Sequence, residues 1–163
     1  MADRARERFT RVFADHHRAV LGYLLRRADE HDAEDALSET FLVVWRRLDA
    51  VPADDPLPWL IGVARNVLNN QRRSAVRREA LRERVVAHAV PDRHDPAPAR
   101  DGEVIAALRL LAERDREVLM LHAWEDLSAA QIAQVVGGTA AGARLRLHRA
   151  RRRLAQALEE VTR

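Results

Sequence analysis

The segment from Leu127 to Leu154 limits the fold of this chain more than any other, because it reads as a helix, a stop and a second, basic helix. Ser128 can cap the first of these helices within a capping box. The pair Gly137–Gly138 ends it, since glycine tolerates left-handed backbone, and Thr139 can cap the next. Between Arg144 and Arg153 there are six arginines and no acidic residue. This pattern predicts a helix-turn-helix whose second helix lies in a DNA major groove.

Charge is distributed in blocks along the chain, although the net charge is only +3. The segment from Asp29 to Glu39 carries six acidic residues and no arginine, whereas Arg65 to Arg78 carries five arginines and no acidic residue. Segregated blocks of opposite sign indicate separate surfaces for separate partners. The hydrophobic content of 47% is sufficient for folded cores, so global disorder is excluded.

Several classes of protein find no support in the sequence. There is no cysteine, and hence no disulfide framework or zinc-thiolate site. No apolar run approaches the roughly 20 residues of a membrane span, and no signal-peptide pattern opens the chain, so we expect a cytoplasmic protein without membrane insertion. We find no nucleophile–base pair, phosphate-binding loop or metal-ligand pattern, because His88 and His94 fall in a segment that offers no scaffold. We therefore expect no enzyme activity, no cofactor and no metal.

Apolar residues at helical spacing predict an all-α protein made of two small helical domains joined by a flexible linker. The first domain, residues 1–86, contains helices at about 4–27 and 32–48, the second capped by Asp32, and a third that starts near Pro58. The segment 89–102 holds three of the six prolines and almost no large apolar residue, which predicts a linker at 87–102. The second domain, residues 103–163, contains two further helices and the helix-turn-helix, whose last helix reaches about residue 160.

Two segments of the first domain allow a functional and a structural interpretation. The acidic residues that open the second helix complement its dipole, which accounts for Asp32 and Asp35. Glu39 and the flanking acids are as consistent with a docking surface for a basic partner as with a structural role. The third helix continues from Asn66 into a run of amides and arginines, which favours nucleic acid over a solvated helix end. The tryptophans lie in or beside apolar series, so we expect them in the core; Trp59, directly after a proline-rich loop, is also a candidate for base stacking.

Taken in order, these segments resemble the extracytoplasmic-function group of the sigma-70 family, the promoter-recognition subunits of bacterial RNA polymerase. Residues 32–45, DAEDALSETFLVVW, look like the polymerase-docking helix of that family, and residues 58–66, PWLIGVARN, look like the start of its −10 helix. Residues 116–121, REVLML, and the helix-turn-helix look like its −35 domain. The resemblance covers nearly the whole chain, with a linker in the expected place.

The resemblance implies a fold with a region 2-like bundle and a region 4-like domain, and it implies a set of partners. These are core RNA polymerase, through the clamp coiled coil of its largest subunit and its flap, promoter DNA, and a separate anti-sigma factor. The implied polymerase contacts are Asp35, Glu39 and Arg46. The implied −10 contacts are Asp54, Asp55, Trp59, Asn66, Asn70, Arg73 and Arg77. The implied −35 contacts are Thr139, Ala141, Arg144, Leu145, Arg146, His148 and Arg149.

The tip of the recognition helix departs from the family pattern. Gly142-Ala143 stands where a Thr-Val pair is usual, and Leu145 stands where a polar residue is usual. Because this tip offers few side-chain hydrogen bonds to bases, we expect −35 readout by phosphate contacts and DNA shape.

Two other functions remain open from the sequence. A stand-alone helix-turn-helix regulator explains the second domain equally well, but it leaves the acidic and amide-rich helices of the first domain without a purpose. A helical adaptor that has lost DNA binding and titrates polymerase or an anti-sigma partner is favoured by the weakened recognition-helix tip.

Overall fold

The computed structural model describes residues 2–83 and 102–162, and every regular element within them is helical. The prediction of an all-α protein is therefore confirmed. The α-helices are α1 (Ala2–Leu25), α2 (Glu30–Arg46), α3 (Leu57–Glu83), α4 (Gly102–Leu110), α5 (Glu113–Ala123), α6 (Ala129–Val136) and α7 (Ala140–Val161), with a 3-10 turn at Leu48–Ala50. They fall into two units, α1 to α3 and α4 to α7. The predicted linker lies outside the described residues except for Gly102, which begins α4, so the domain limits stay predictions.

The first unit is a bundle in which α1, α2 and α3 each contact the other two. Each helix contributes a stripe of apolar residues at the spacing that the sequence predicts, and full burial of one such side chain stabilises a fold by about 1.5–3 kcal/mol. Thr40 is completely buried within this stripe of α2, where its hydroxyl donates to the Ala36 carbonyl at 2.7 Å. The side chains at the centre of the bundle are Val20, Tyr23, Leu24, Val44, Leu60, Ile61 and Ala64.

The start of α2 differs from the prediction. Asp29, not Asp32, is the capping residue, because its backbone is extended and its Oδ1 accepts a hydrogen bond from the Asp32 amide at 2.8 Å. Asp32 instead lies inside the first turn, where its carboxylate complements the helix dipole. The helix also ends at Arg46, two residues earlier than expected, since the chain tightens into the 3-10 turn that buries Leu48.

In the second unit, α7 packs against α4, α5 and α6, and α6 and α7 form the predicted helix-turn-helix. The capping box of α6 is present. The backbone amide of Gln131 donates to Ser128 Oγ at 3.3 Å, and the backbone amide of Ser128 donates to Gln131 Oε1 at 2.8 Å. Gly137 and Gly138 have φ angles of +87° and +101°, which only glycine adopts freely. Thr139 then caps α7 by accepting from the Gly142 amide at 3.1 Å.

The tryptophans are less buried than expected. The indoles of Trp45 and Trp124 are 47% and 44% exposed, so the prediction of a core role for them is wrong. Trp45 lies at the edge of the contact between α1 and α2, where Phe9 meets it edge-on with ring centroids 5.2 Å apart and the rest of the ring faces solvent. Trp59, in the first turn of α3, is half-buried.

Candidate nucleic-acid and protein interfaces

The three predicted polymerase contacts lie on one exposed face of α2. Asp35, Glu39 and Arg46 are all exposed, and their spacing of four and seven residues places them on one side of the helix over about 16 Å. Leu42, which the sequence analysis did not select, lies between them on the same face with 54% of its surface exposed. Asp35 also faces His31, at 3.6 Å between the carboxylate and Nε2. This face, called here the α2 face (Asp35, Glu39, Leu42 and Arg46), therefore carries acid at one end, an apolar centre and a base at the other end.

Five of the predicted −10 contacts share one face of α3. Their spacing repeats at seven, four, three and four residues, so they form a single stripe about 27 Å long. Trp59 is half-buried at the start of the stripe and the others are exposed. This stripe, called here the α3 face, consists of Trp59, Asn66, Asn70, Arg73 and Arg77.

Side chains on the α3 face are ordered by their own contacts. Arg73 Nη2 donates to Asn70 Oδ1 at 2.7 Å, which uses the amide oxygen of Asn70 and leaves its NH₂ group as a donor. Arg77 Nη2 donates to Ser74 Oγ at 3.1 Å. Gln71, which follows Asn70, is not part of this face, and its Oε1 is buried. The α3 face thus presents amides and guanidinium groups, which suit base edges and phosphates respectively.

The loop before α3 is fixed to the rest of the unit at its first residue. Val51 is buried, and its carbonyl accepts a hydrogen bond from Arg8 Nη2 of α1 at 2.8 Å. Beyond it, the two other predicted −10 contacts, Asp54 and Asp55, are exposed. Carboxylates in such a position disfavour phosphates but can accept from the amino groups of cytosine or adenine.

A cation lies beside the tryptophan of the α3 face. The guanidinium carbon of Arg47 is 5.8 Å from the centre of the Trp59 ring, within the range of a cation–π interaction. Arg47 follows α2 in the chain, so this contact joins the end of α2 to the start of α3. An aromatic ring next to a guanidinium group is a suitable platform for an unstacked base.

The predicted −35 contacts separate into two groups on α7. Buried Ala143, Leu147 and Ala150 define the inner side of the helix. Ala141, Leu145, His148 and Arg149 lie on the opposite side and are exposed, with Arg152 continuing the same stripe. We call these five residues the α7 face. Of the remaining candidates, Arg144 is exposed at the flank, Thr139 is the capping residue, and Arg146 turns toward α5.

Arg146 is one of two arginines that hold a buried carboxylate. Asp115, in the first turn of α5, is only 2% exposed. Its Oδ1 accepts from Arg146 at 3.3 Å, and its Oδ2 accepts from Arg153, two turns further along α7. This cluster could not be predicted from the sequence, because its partners are separated by 31 and 38 positions. Arg146, which the resemblance implies as a −35 contact, is therefore directed to Asp115 within the fold.

Two classes of feature are absent from the described parts of the chain. Residues 2–83 and 102–162 contain no group of three or more His, Asp or Glu side chains arranged to hold a metal ion. Within the same ranges no helix is both long enough and apolar enough to cross a membrane. The histidines at 88 and 94 lie outside the described residues.

Both units match models of known regions of one protein family. The model of sigma-70 region 2 matches residues 12–78, and the model of sigma-70 region 4 matches residues 101–154. Together these matches cover most of the chain. The order of the regions agrees with the resemblance of the individual motifs, which defines the chain as a sigma factor by class.

Named relatives are similar over almost their whole length. The chain is 33% identical to RNA polymerase sigma factor CarQ of Myxococcus xanthus, over 98% of this chain and 94% of the relative. It is 34% identical to ECF RNA polymerase sigma factor SigL of Mycobacterium tuberculosis, over 93% of this chain and 89% of the relative. The chain thus belongs to the sigma-70 family of RNA polymerase sigma factors, in its extracytoplasmic-function (ECF) group.

Solved structures show the same fold. The sigma factor RpoE from Bartonella quintana, solved with the anti-sigma factor NepR, is 24% identical and superposes with a TM-score of 0.68 over 93% of this chain and 96% of that chain. CnrH, solved with the cytosolic domain of CnrY, is 26% identical, with a TM-score of 0.64 over 93% of this chain and 88% of that chain. The prediction of a region 2-like bundle followed by a region 4-like helix-turn-helix is confirmed.

Proposed function

We propose that this sigma factor docks on core RNA polymerase through the α2 face and directs initiation at promoters that carry −10 and −35 elements. The α3 face and the loop before it receive the −10 element, and the α7 face receives the −35 element. The observation that supports this assignment most directly is that most of the predicted contacts on α2, α3 and α7 fall into one stripe per helix, each of distinct chemistry. The protein itself performs no chemical step, because the polymerase supplies catalysis, and it acts in the cytoplasm together with polymerase and chromosome.

The α3 face fits a promoter strand that has left the duplex. Trp59 with Arg47 provides a stacking platform, Asn66 and Asn70 provide amide groups, and Arg73 and Arg77 provide positive charge along the same line. Extrusion of a base costs a few kcal/mol, so a preformed platform selects both the sequence and the melted state of the DNA. The exposed carboxylates of Asp54 and Asp55 lie before Trp59 and add acceptors for base amino groups.

We infer control by a separate anti-sigma factor from membership of the family. CnrH, which shares the fold and 26% identity, was solved with a protein partner, the cytosolic domain of CnrY. The α2 face is a suitable target, since a protein that covers it also blocks polymerase. If this inference is correct, the anti-sigma factor and core polymerase compete for binding to the purified chain.

The test of the function is transcription from fragmented host DNA by sigma-free core polymerase, with transcript 5′ ends mapped with and without the protein. Discrete starts that require the protein are expected, and shared upstream sequences give both promoter elements. Binding to core without new starts would instead indicate an adaptor. Absence of core binding, with salt-dependent binding of the protein alone to DNA, would indicate a stand-alone regulator.

Arg149 of the α7 face and Arg146 beside Asp115 should contribute differently to the salt dependence of promoter binding. Arg149→Ala should lower the slope of log K against log salt concentration by about 0.9, the value for one phosphate contact. Arg146→Ala should leave that slope unchanged, because this side chain faces Asp115. The measurement is holoenzyme binding to a −35 duplex between about 50 and 200 mM salt. Equal slopes for Arg149→Ala and the parent protein would contradict the phosphate contact proposed for Arg149.

A further inference from the structure

The α7 face contains an apolar side chain among its arginines. Leu145 is 50% exposed, with Ala141 one turn before it and His148 one turn after it on the same side of α7. The buried side of the helix is formed by other residues, Ala143 and Leu147, so Leu145 contributes little to the core. An exposed leucine at this position is therefore available to a ligand of the helix.

Two polar side chains near Leu145 are engaged within the fold, and Arg144 lies at the flank of the helix. Arg146 is held by Asp115, and the Thr139 hydroxyl accepts from the Gly142 amide at 3.1 Å. Gly142 offers no side chain, and a Cβ there would lie 3.2 Å from Thr139 Oγ1, so the cap itself favours glycine. The first turns of α7 thus present mainly the methyl groups of Ala141 and Leu145 on their outer side.

Resting on the proposed function, we propose that Leu145 reads the C5-methyl group of a thymine in the −35 element, with Ala141 beside it. The major-groove edge of thymine carries this methyl group, and alanine and other apolar side chains recognise thymine through it. Arg149, one turn further along the same face, is placed to contact the adjacent backbone. Readout at the −35 element then includes one direct apolar contact in addition to phosphate contacts and DNA shape.

The test removes the methyl group from the DNA and the isobutyl group from the protein, separately and together. Promoter templates from the 5′-end mapping are rebuilt with deoxyuridine in place of each −35 thymine in turn, on either strand. Open-complex formation is then measured with holoenzyme that contains the parent protein or Leu145→Ala. Leu110→Ala is the matched control, because Leu110 is a leucine of the same unit that is 62% exposed but belongs to α4.

At one −35 thymine, loss of the methyl group should slow open-complex formation by about three- to tenfold with the parent protein and with Leu110→Ala. With Leu145→Ala the thymine and deoxyuridine templates should be used equally well at that position. The comparison is internal to each protein, so a general loss of activity in the variant does not affect it.

Three results would overturn the proposal: no thymine in the −35 element, no methyl effect with the parent protein, or the same methyl effect with Leu145→Ala. These results are distinguishable from failure of the proposed function. If the parent protein directs no core-dependent initiation at all, the sigma assignment fails, whereas normal initiation without a methyl effect removes only the role of Leu145.

Discussion

Reversing the acidic end of the α2 face, as Asp35→Lys with Glu39→Lys, should weaken binding to core RNA polymerase by about 100-fold or more. The proposed partner surface is basic, and like charges placed opposite each other at an interface cost several kcal/mol. A cost of about 2.7 kcal/mol is sufficient to weaken the affinity 100-fold. Both side chains are exposed, and the contact of Asp35 with His31 lies at the surface, where such contacts contribute little to stability. The loss should therefore appear in binding and not in folding.

The measurement is a titration of labelled protein with core polymerase at fixed ionic strength. Glu34→Lys is the control, since Glu34 is an exposed acid of the same helix that lies about 100° or more around it from Asp35 and Glu39. It should bind core within about threefold of the parent protein after allowance for long-range charge. Equal weakening by Glu34→Lys would show that net charge, and not the α2 face, determines affinity. A parent protein that does not bind core would refute the sigma function itself.

Leu42→Ala provides a second probe of the same face. If the α2 face is the interface, an exposed leucine between Glu39 and Arg46 becomes buried in the complex, and its removal weakens binding although it changes no charge. Leu42 was not selected from the sequence, although it lies outside the apolar stripe of the helix and its spacing from Asp35 and Glu39 places it on their side.

Periodic features of this protein could be predicted from sequence, and features that depend on tertiary contacts could not. The members of the stripe from Trp59 to Arg77 were selected before the fold was known because the family resemblance implied them, and helical spacing then predicts that they share one face. The capping box at Ser128 and the left-handed glycines at 137–138 are local features as well. The cap of α2 was misplaced because several neighbouring acids are equally able to cap a helix, and the choice of Asp29 depends on where the chain leaves α1.

Contacts between residues that are distant in the chain produce no local pattern in the sequence. Arg8 contacts the loop before α3 although it lies 43 positions earlier in the chain. Arg47 contacts Trp59 although the 3-10 turn and the loop separate them in the sequence. Trp45 is a related case, since it belongs to an apolar series most of whose other members are buried, but its own side chain lies at the edge of the bundle. Such residues require the relative placement of helices, which composition and spacing do not determine.

Among the charged residues described in the second unit, Asp115 is the one whose single substitution we expect to cost the most stability, because it is only 2% exposed. Asp115→Ala should lower the free energy of unfolding of this unit by about 2–3 kcal/mol, because it removes two charge-assisted hydrogen bonds from a buried acceptor and leaves a void. The loss stays below the 3–5 kcal/mol that follows when a fully buried charge is left unpaired, since Arg146 and Arg153 are 44% and 57% exposed and can be hydrated.

Urea unfolding can be followed at Trp124 in a chain with Trp45→Phe and Trp59→Phe, in which that indole reports on the second unit alone. Glu113→Ala, an exposed acid in the same turn of α5, is the control and should change stability by less than about 0.5 kcal/mol. Equal stability of the Asp115→Ala and Glu113→Ala chains would contradict a structural role for the cluster.

Removing the two arginines in place of Asp115 tests which partner of the cluster is costly to leave without its counterion. Removing both arginines, as Arg146→Ala with Arg153→Ala, leaves the carboxylate of Asp115 buried without a cation, so it should destabilise the unit more than Asp115→Ala does. If the two chains instead lose equal stability, Asp115 must reach water once its partners are gone. The expected order follows from burial alone: the cost of breaking an ion pair is set by whichever charge cannot be rehydrated. Because the pair joins α5 to the helix that carries Leu145 and Arg149, the same cluster that stabilises the unit also fixes how α7 is presented to DNA.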